Sequence, residues 1–105
     1  MKTLFIPILS VLFLLISCGS RPEHDELSAQ SIIEEFVTRQ LKSPSTADFE
    51  FGFSSKIDKV GEKGYEVDSY VDSQNGFGAT IRTNFHCEVE YTGNSNWNLI
   101  DLTFE

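Results

Sequence analysis

From Ala29 onward apolar residues recur every three or four positions: Ala29, Ile32, Ile33, Phe36, Val37 and Leu41, with Glu34, Glu35, Arg39 and Gln40 between them. That spacing follows the 3.6-residue period and predicts an amphipathic helix whose acidic face is solvated. Asp25 or Ser28 suits its first turn as a cap, and Lys42 suits the negative end of its dipole. Pro44 disfavours helical geometry at Ser43, so the helix is expected to stop near Lys42, with a single helical turn at Ser43-Pro44-Ser45. The period changes to two at Phe49, Phe51 and Phe53, which predicts a short strand with three rings on one face. A weaker strand reads from Ile57 to Val60, two long alternating ones from Tyr65 to Ser73 and from Ala79 to Tyr91, and a last one from Trp97 to Phe104. The fold class is therefore α+β: one helix packed on an antiparallel meander of four strands, or five with the weaker one.

Parity restricts how these strands pair. Odd positions face the core in both long strands (Tyr65, Val67, Val71; Ile81, Phe85, Cys87, Val89, Tyr91), and opposed residues share a face, so paired numbers must have an even sum. A three-residue loop of Gln74, Asn75 and Gly76, with Gly76 left-handed, satisfies this by pairing Ser73 with Phe77. It sets Asp68 opposite Arg82 and Tyr65 opposite Phe85. A four-residue loop from Gly93 to Asn96 pairs Thr92 with Trp97, Val89 with Ile100, Glu88 with Asp101 and Cys87 with Leu102. In that register Trp97 and Leu99 turn away from the helix, beside Tyr70. A helix on one face of a curved four-stranded sheet resembles the cystatin-like architecture.

Residues 1–17 do not fit this pattern. Lys2 precedes Leu4 to Ile16, thirteen residues in which only Pro7 and Ser10 are not strongly apolar. A bilayer span needs about 20 such residues, whereas a signal-peptide core needs fewer. The run ends in Leu15-Ile16-Ser17-Cys18, which resembles the lipobox of bacterial lipoproteins: a branched apolar residue, a small residue, then cysteine. The resemblance implies that residues 1–17 are a signal peptide removed before Cys18, and that Cys18 carries the lipid. Residues 18–25 then form a polar tether, and 26–105 the single domain. Two or more acyl chains hold a protein durably on a membrane without crossing it. Gly19 in place of Asp leans towards the outer membrane where the host has one.

Composition narrows the function. Sixteen Asp and Glu stand against eight Lys and Arg, and removal of residues 1–17 takes away one cation and leaves a side-chain charge of −9. No basic stripe remains for nucleic acid. With Cys18 lipidated, Cys87 has no partner for a disulfide and is expected in the core. The stretches Leu41-Lys42-Ser43-Pro44-Ser45-Thr46-Ala47-x-Phe49, Tyr70 to Ala79 (YVDSQNGFGA) and Arg82-Thr83-x-Phe85-x-Cys87 together resemble small bacterial secreted or lipid-anchored proteins of unassigned function. That resemblance implies no catalytic residue or ligand.

Candidate chemistry is sparse. His86 and Cys87 are adjacent on a strand, point to opposite faces and cannot form a dyad. No phosphate loop, nucleophile elbow or HExxH occurs. Glu88, Glu90 and Asp101 near His86 form the weak candidate set for a hard cation such as Ca²⁺, and no cofactor is expected. Tyr70, Phe77, Trp97 and Leu99 are the candidate partner-binding patch. The expectation is a lipid-anchored, non-enzymatic protein-binding module of the cell envelope. The alternatives are an inhibitor or immunity-type lipoprotein, and an enzyme using an acidic cleft around His86, Glu88 and Asp101.

Overall fold

A computed structural model describes residues 22–105; the expected signal peptide and the expected lipid site Cys18 lie outside the described residues. Helix α1 (Glu26–Thr38) begins at Asp25, whose carboxylate accepts from the Ser28 N–H at 2.9 Å while the Asp25 N–H donates to Ser28 Oγ at 2.8 Å. This reciprocal box satisfies two donors that the first turn leaves unpaired. Ala29, Ile33 and Val37 are fully buried, flanked by the partly buried Ile32, Phe36 and Leu41. The helix ends at Thr38, four residues short of Lys42, because the chain tightens into bonds from Gln40 N–H to Val37 O and from Leu41 N–H to Thr38 O. Leu41 therefore reaches the core from a turn, and Lys42 does not sit at the helix terminus.

The aromatic triplet does not form one strand. Strand β1 is only Asp48–Phe49, Gly52 takes a left-handed conformation (φ 66°), and a 3₁₀ turn covers Phe53–Lys56. Phe53 is buried (1% exposed), whereas Phe51 is wholly exposed (101%). The break has a polar cause. Glu50 is tied to the sheet by its N–H to Tyr70 O, and its carboxylate accepts from Ser69 Oγ at 2.7 Å and from Lys56 Nζ. Ser69 is the buried polar residue of the sheet, and this bond satisfies it.

Strands β2 (Asp58–Val60), β3 (Gly64–Gln74), β4 (Thr80–Gly93) and β5 (Asn96–Phe104) complete an open antiparallel sheet of five strands. β1 and β2 lie along the same edge of β3, β1 beside Val71 and Asp72 and β2 beside Gly64 to Glu66. The chain is thus a meander from β2 to β5, with β1 added outside its order.

The even-sum rule holds for β3 and β4, but the register is four residues from the one expected. Tyr65 pairs with Val89, Asp68 with His86, Asp72 with Arg82 and Gln74 with Thr80. The loop is five residues, Asn75 to Ala79, and Asn75 organises it. Its side-chain oxygen accepts from the N–H groups of Phe77 (2.9 Å) and Ala79 (3.0 Å), and its own N–H donates to Ala79 O. Gly78, and not Gly76, is left-handed (φ 81°). An Asn side chain that mimics a turn carbonyl lengthens the hairpin without changing its parity.

Between β4 and β5 the pairs Cys87 with Leu102 and Glu88 with Asp101 form as expected, whereas Val89 pairs with Leu99 and Tyr91 with Trp97. Two irregularities, one passing over Ile100 and one over Thr92, bracket this segment. The connecting loop is Asn94-Ser95 alone, both left-handed (φ 52° and 62°), in place of the four residues expected. Such a loop matches the twist of its strands. Each bulge shifts the pairing by one residue, so Trp97 and Leu99 move to the helix side of the sheet.

The core is formed by α1, Phe53, Ile57 and the odd residues of β3 and β4, including Tyr65, Val71, Phe85 and Val89. In a urea titration Phe53→Ala is expected to lower stability by about 3–5 kcal/mol. Phe51→Ala should stay within about 0.5 kcal/mol of the parent. Similar losses at the two positions would mean that both rings are core residues after all.

Candidate functional site

The face of the sheet away from α1 is set by the even residues of β3 and β4, and among the described residues no element covers it. Three neighbouring strands place Glu66, Glu88 and Asp101 directly opposite one another in a single row, which Asp58 of β2 extends beyond Glu66. The next row holds Asp68, His86 and Thr103. Like charges directly opposed across strands are unfavourable, and the imidazole between the rows offsets part of that cost. His86 Nδ1 lies 2.8 Å from Asp68 Oδ1 and Nε2 lies 3.8 Å from Asp101 Oδ2.

The hydrogen bond to Asp68 raises the His86 pKa above its ordinary 6.5. Burial opposes the rise, and the charges of Asp68, Asp101 and Glu66 add to it. At the far end of the same face Arg82 is already committed. It donates to both carboxylate oxygens of Asp72 (2.9 and 3.0 Å) and lies over the Tyr70 ring, 3.8 Å from its centre. The bidentate pair, not the expected contact with Asp68, follows from the register. The Arg82 hydrogen bond also holds the Asp72 carboxyl below its ordinary range.

The donor set for a cation changes accordingly. Ligand atoms of Glu66, His86 and Glu88 lie within 4.8 Å of one another, and Asp101 adjoins them through His86. Glu90 pairs with Gly64 and Asn98 and is outside this group. Glu66 escaped the sequence reading because the register error moved it away from Glu88. The signal that places it there, the turn-forming Asn75, was present.

The four residues of the expected patch do not come together. Tyr70 lies on the acidic face beneath Arg82, and Phe77 is exposed at the tip of the β3–β4 loop. Leu99 is on the helix side of the edge strand. Trp97 is part-buried in an aromatic cluster, 5.1 Å from Tyr91 and 5.7 Å from Tyr65 between ring centres.

The same cluster receives His24, which the sequence placed in a polar tether. Its Nδ1 is 2.6 Å from the Tyr65 hydroxyl, and its ring lies 4.7 Å from Tyr91. The folded unit thus begins at His24 and Asp25, ahead of position 26. Cys87 is fully buried in the core, paired between Val67 and Leu102, and burial pushes its thiol up to about 12. It stays protonated and unreactive at neutral pH.

The carboxyls that shift, Asp25, Glu50 and Asp72, all shift downwards, through hydrogen bonds from Ser28, Lys56 and Arg82 respectively. The face is suited to attracting positive charge. Comparison with family models, curated proteins and solved structures finds no match to this chain.

His86 has a folded pKa above its unfolded one, so its contribution to stability is complete below about pH 6.5 and is lost as pH rises through the raised folded value. Asp68→Asn should bring the His86 titration, followed by NMR of the imidazole protons, back towards 6.5 and flatten stability against pH in this window. An unchanged titration would show that Asp68 does not set the imidazole's charge.

Proposed function

We propose that the chain is a lipid-anchored bacterial lipoprotein whose cystatin-like domain is a non-enzymatic protein-binding module of the cell envelope. Its acidic sheet face meets a basic partner surface. The observation that carries the reading is the uncovered row Glu66, Glu88 and Asp101, flanked by Asp68 and His86. Acidic surfaces of this kind steer basic partners and discriminate against acidic ones. An inhibitor or immunity-type role is the form the reading takes when the partner is a basic enzyme or toxin.

The anchor at Cys18 fits this arrangement. Five residues separate Cys18 from the docked His24, a reach of at most about 22 Å. His24 sits at the Tyr65 end of β3, and eleven residues of strand, about 36 Å, carry the chain from there to the loop bearing Phe77. The Phe77 tip therefore points away from the membrane, with the acidic face standing along the side. The outer membrane is the favoured location where the host has one.

Palmitate labelling is expected for the parent and lost in Cys18→Ala. Crosslinking in intact envelopes should capture a specific partner, and charge reversal at Glu66, Glu88 and Asp101 should abolish capture. Raising salt to several times the physiological level should weaken the isolated complex about tenfold or more. Failure to recover a partner, where a tagged control lipoprotein recovers its own, would overturn the binding role.

A further inference from the structure

The carboxylate row stops at a free edge. Among the described residues nothing pairs with the outer side of β5, and Asp101 is the last member of its row. A strand added there would place one residue directly opposite Asp101, with Cβ atoms about 5 Å apart. Downstream of the bulge at Ile100 the strand alternates cleanly. Asp101 and Thr103 belong to the acidic face, whereas Leu102 and Phe104 belong to the helix side, where Leu102 packs against the core.

On the helix side the edge is unfinished. Ile100 is 51% exposed, Leu99 and Phe104 are partly exposed, and an open groove of about 420 Å³ runs along Leu99, Ile100, Asp101, Leu102 and Phe104 to Gln40, so that Asp101 borders it as well. Native edges are commonly blunted by a charge and a bulge, and β5 carries both, yet the apolar residues beside them remain uncovered.

We propose that the β5 edge accepts an extended segment of a partner protein in which apolar residues alternate with lysine or arginine. The segment would extend the sheet by main-chain hydrogen bonds. Its basic residue would close the row of Glu66, Glu88 and Asp101, and its apolar residues would cover Phe104 and the groove beside Gln40. A second copy of this chain is the poorer match in charge. Two β5 edges paired about Asp101 would set the row of one copy against the same row of the other, eight carboxylates on one face with Asp58 included. The proposal rests on the reading of the acidic face as a basic-partner site and names what the partner presents.

The test uses the soluble mature chain and a capped nine-residue peptide of alternating valine and lysine. Its controls are the same residues in blocks, and the alternating peptide with glutamate for lysine. Fluorescence anisotropy should show the alternating lysine peptide binding at least tenfold more tightly than either control. Amide hydrogen exchange should slow within residues 101–104. Of two peptides N-methylated at alternate residues in the two possible phases, one should lose binding, since only one phase blocks the ladder. Asp101→Lys, folded by circular dichroism, should reverse the preference towards the glutamate peptide.

Equal binding of the blocked and alternating lysine peptides would overturn the edge proposal and leave the acidic-face reading standing. Failure of every lysine peptide to bind, with no salt-sensitive partner in crosslinking, would remove both. Protection, in the protein alone, of those β5 amides that point away from β4, or a dimer by sedimentation, would show the edge already occupied by this chain and would overturn the proposal.

Discussion

The pairing of β3 with β4, eleven residues on each side from Gly64 with Glu90 to Gln74 with Thr80, assigns every side chain in the centre of the domain to one of two surfaces. Odd residues go to the helix and even residues to the open face. Because side-chain direction alternates with a period of two, no residue can change surface without a bulge. The buried positions of α1, Phe53 and the odd residues of these strands form one continuous core. The charged residues are then left with no alternative to the outer face.

The crowding of carboxylates on that face follows from this constraint. Glu66, Glu88 and Asp101 are adjacent because Val67, Cys87 and Leu102 are adjacent beneath them. Apolar burial at about 25 cal/mol per Å² outweighs repulsion between exposed charges, which water and salt screen. His86 offsets part of the repulsion without moving any strand. Its bond to Asp68 and its proximity to Asp101 favour the protonated ring. The protein therefore carries an acidic surface whose charge changes with pH through one residue, at a value raised above the ordinary imidazole pKa.

Parity was readable because it depends only on alternation; register was not, because it depends on a loop. Moving from a three-residue to a five-residue loop left every residue on its expected face, yet it exchanged Arg82 for His86 opposite Asp68. The deciding group was the Asn75 side chain, whose acceptor holds two N–H groups and postpones the start of β4. Phe51 misled for a related reason. It continued the alternation of Phe49 and Phe53, but Gly52 is left-handed and Glu50 is held by Ser69 and Lys56, so the chain turns at that point. The pairing of Glu88 with Asp101 was legible, because it lies in the regular part of β4 and β5.

Trp97 shows the limit more sharply. Two bulges, over Thr92 and Ile100, compensate one another, so pairing on both sides of them follows a single simple register. Only the intervening segment is inverted, and no alternation within β5 alone reveals it. The inversion moves an indole from solvent into contact with Tyr65, Tyr91 and His24. It thereby fixes where the chain enters the domain, since His24 can dock only on the face to which Trp97 and Tyr91 were turned. A partner patch that needs Trp97 beside Tyr70 is geometrically excluded by the same step, and the acidic face is left as the surface that the fold presents.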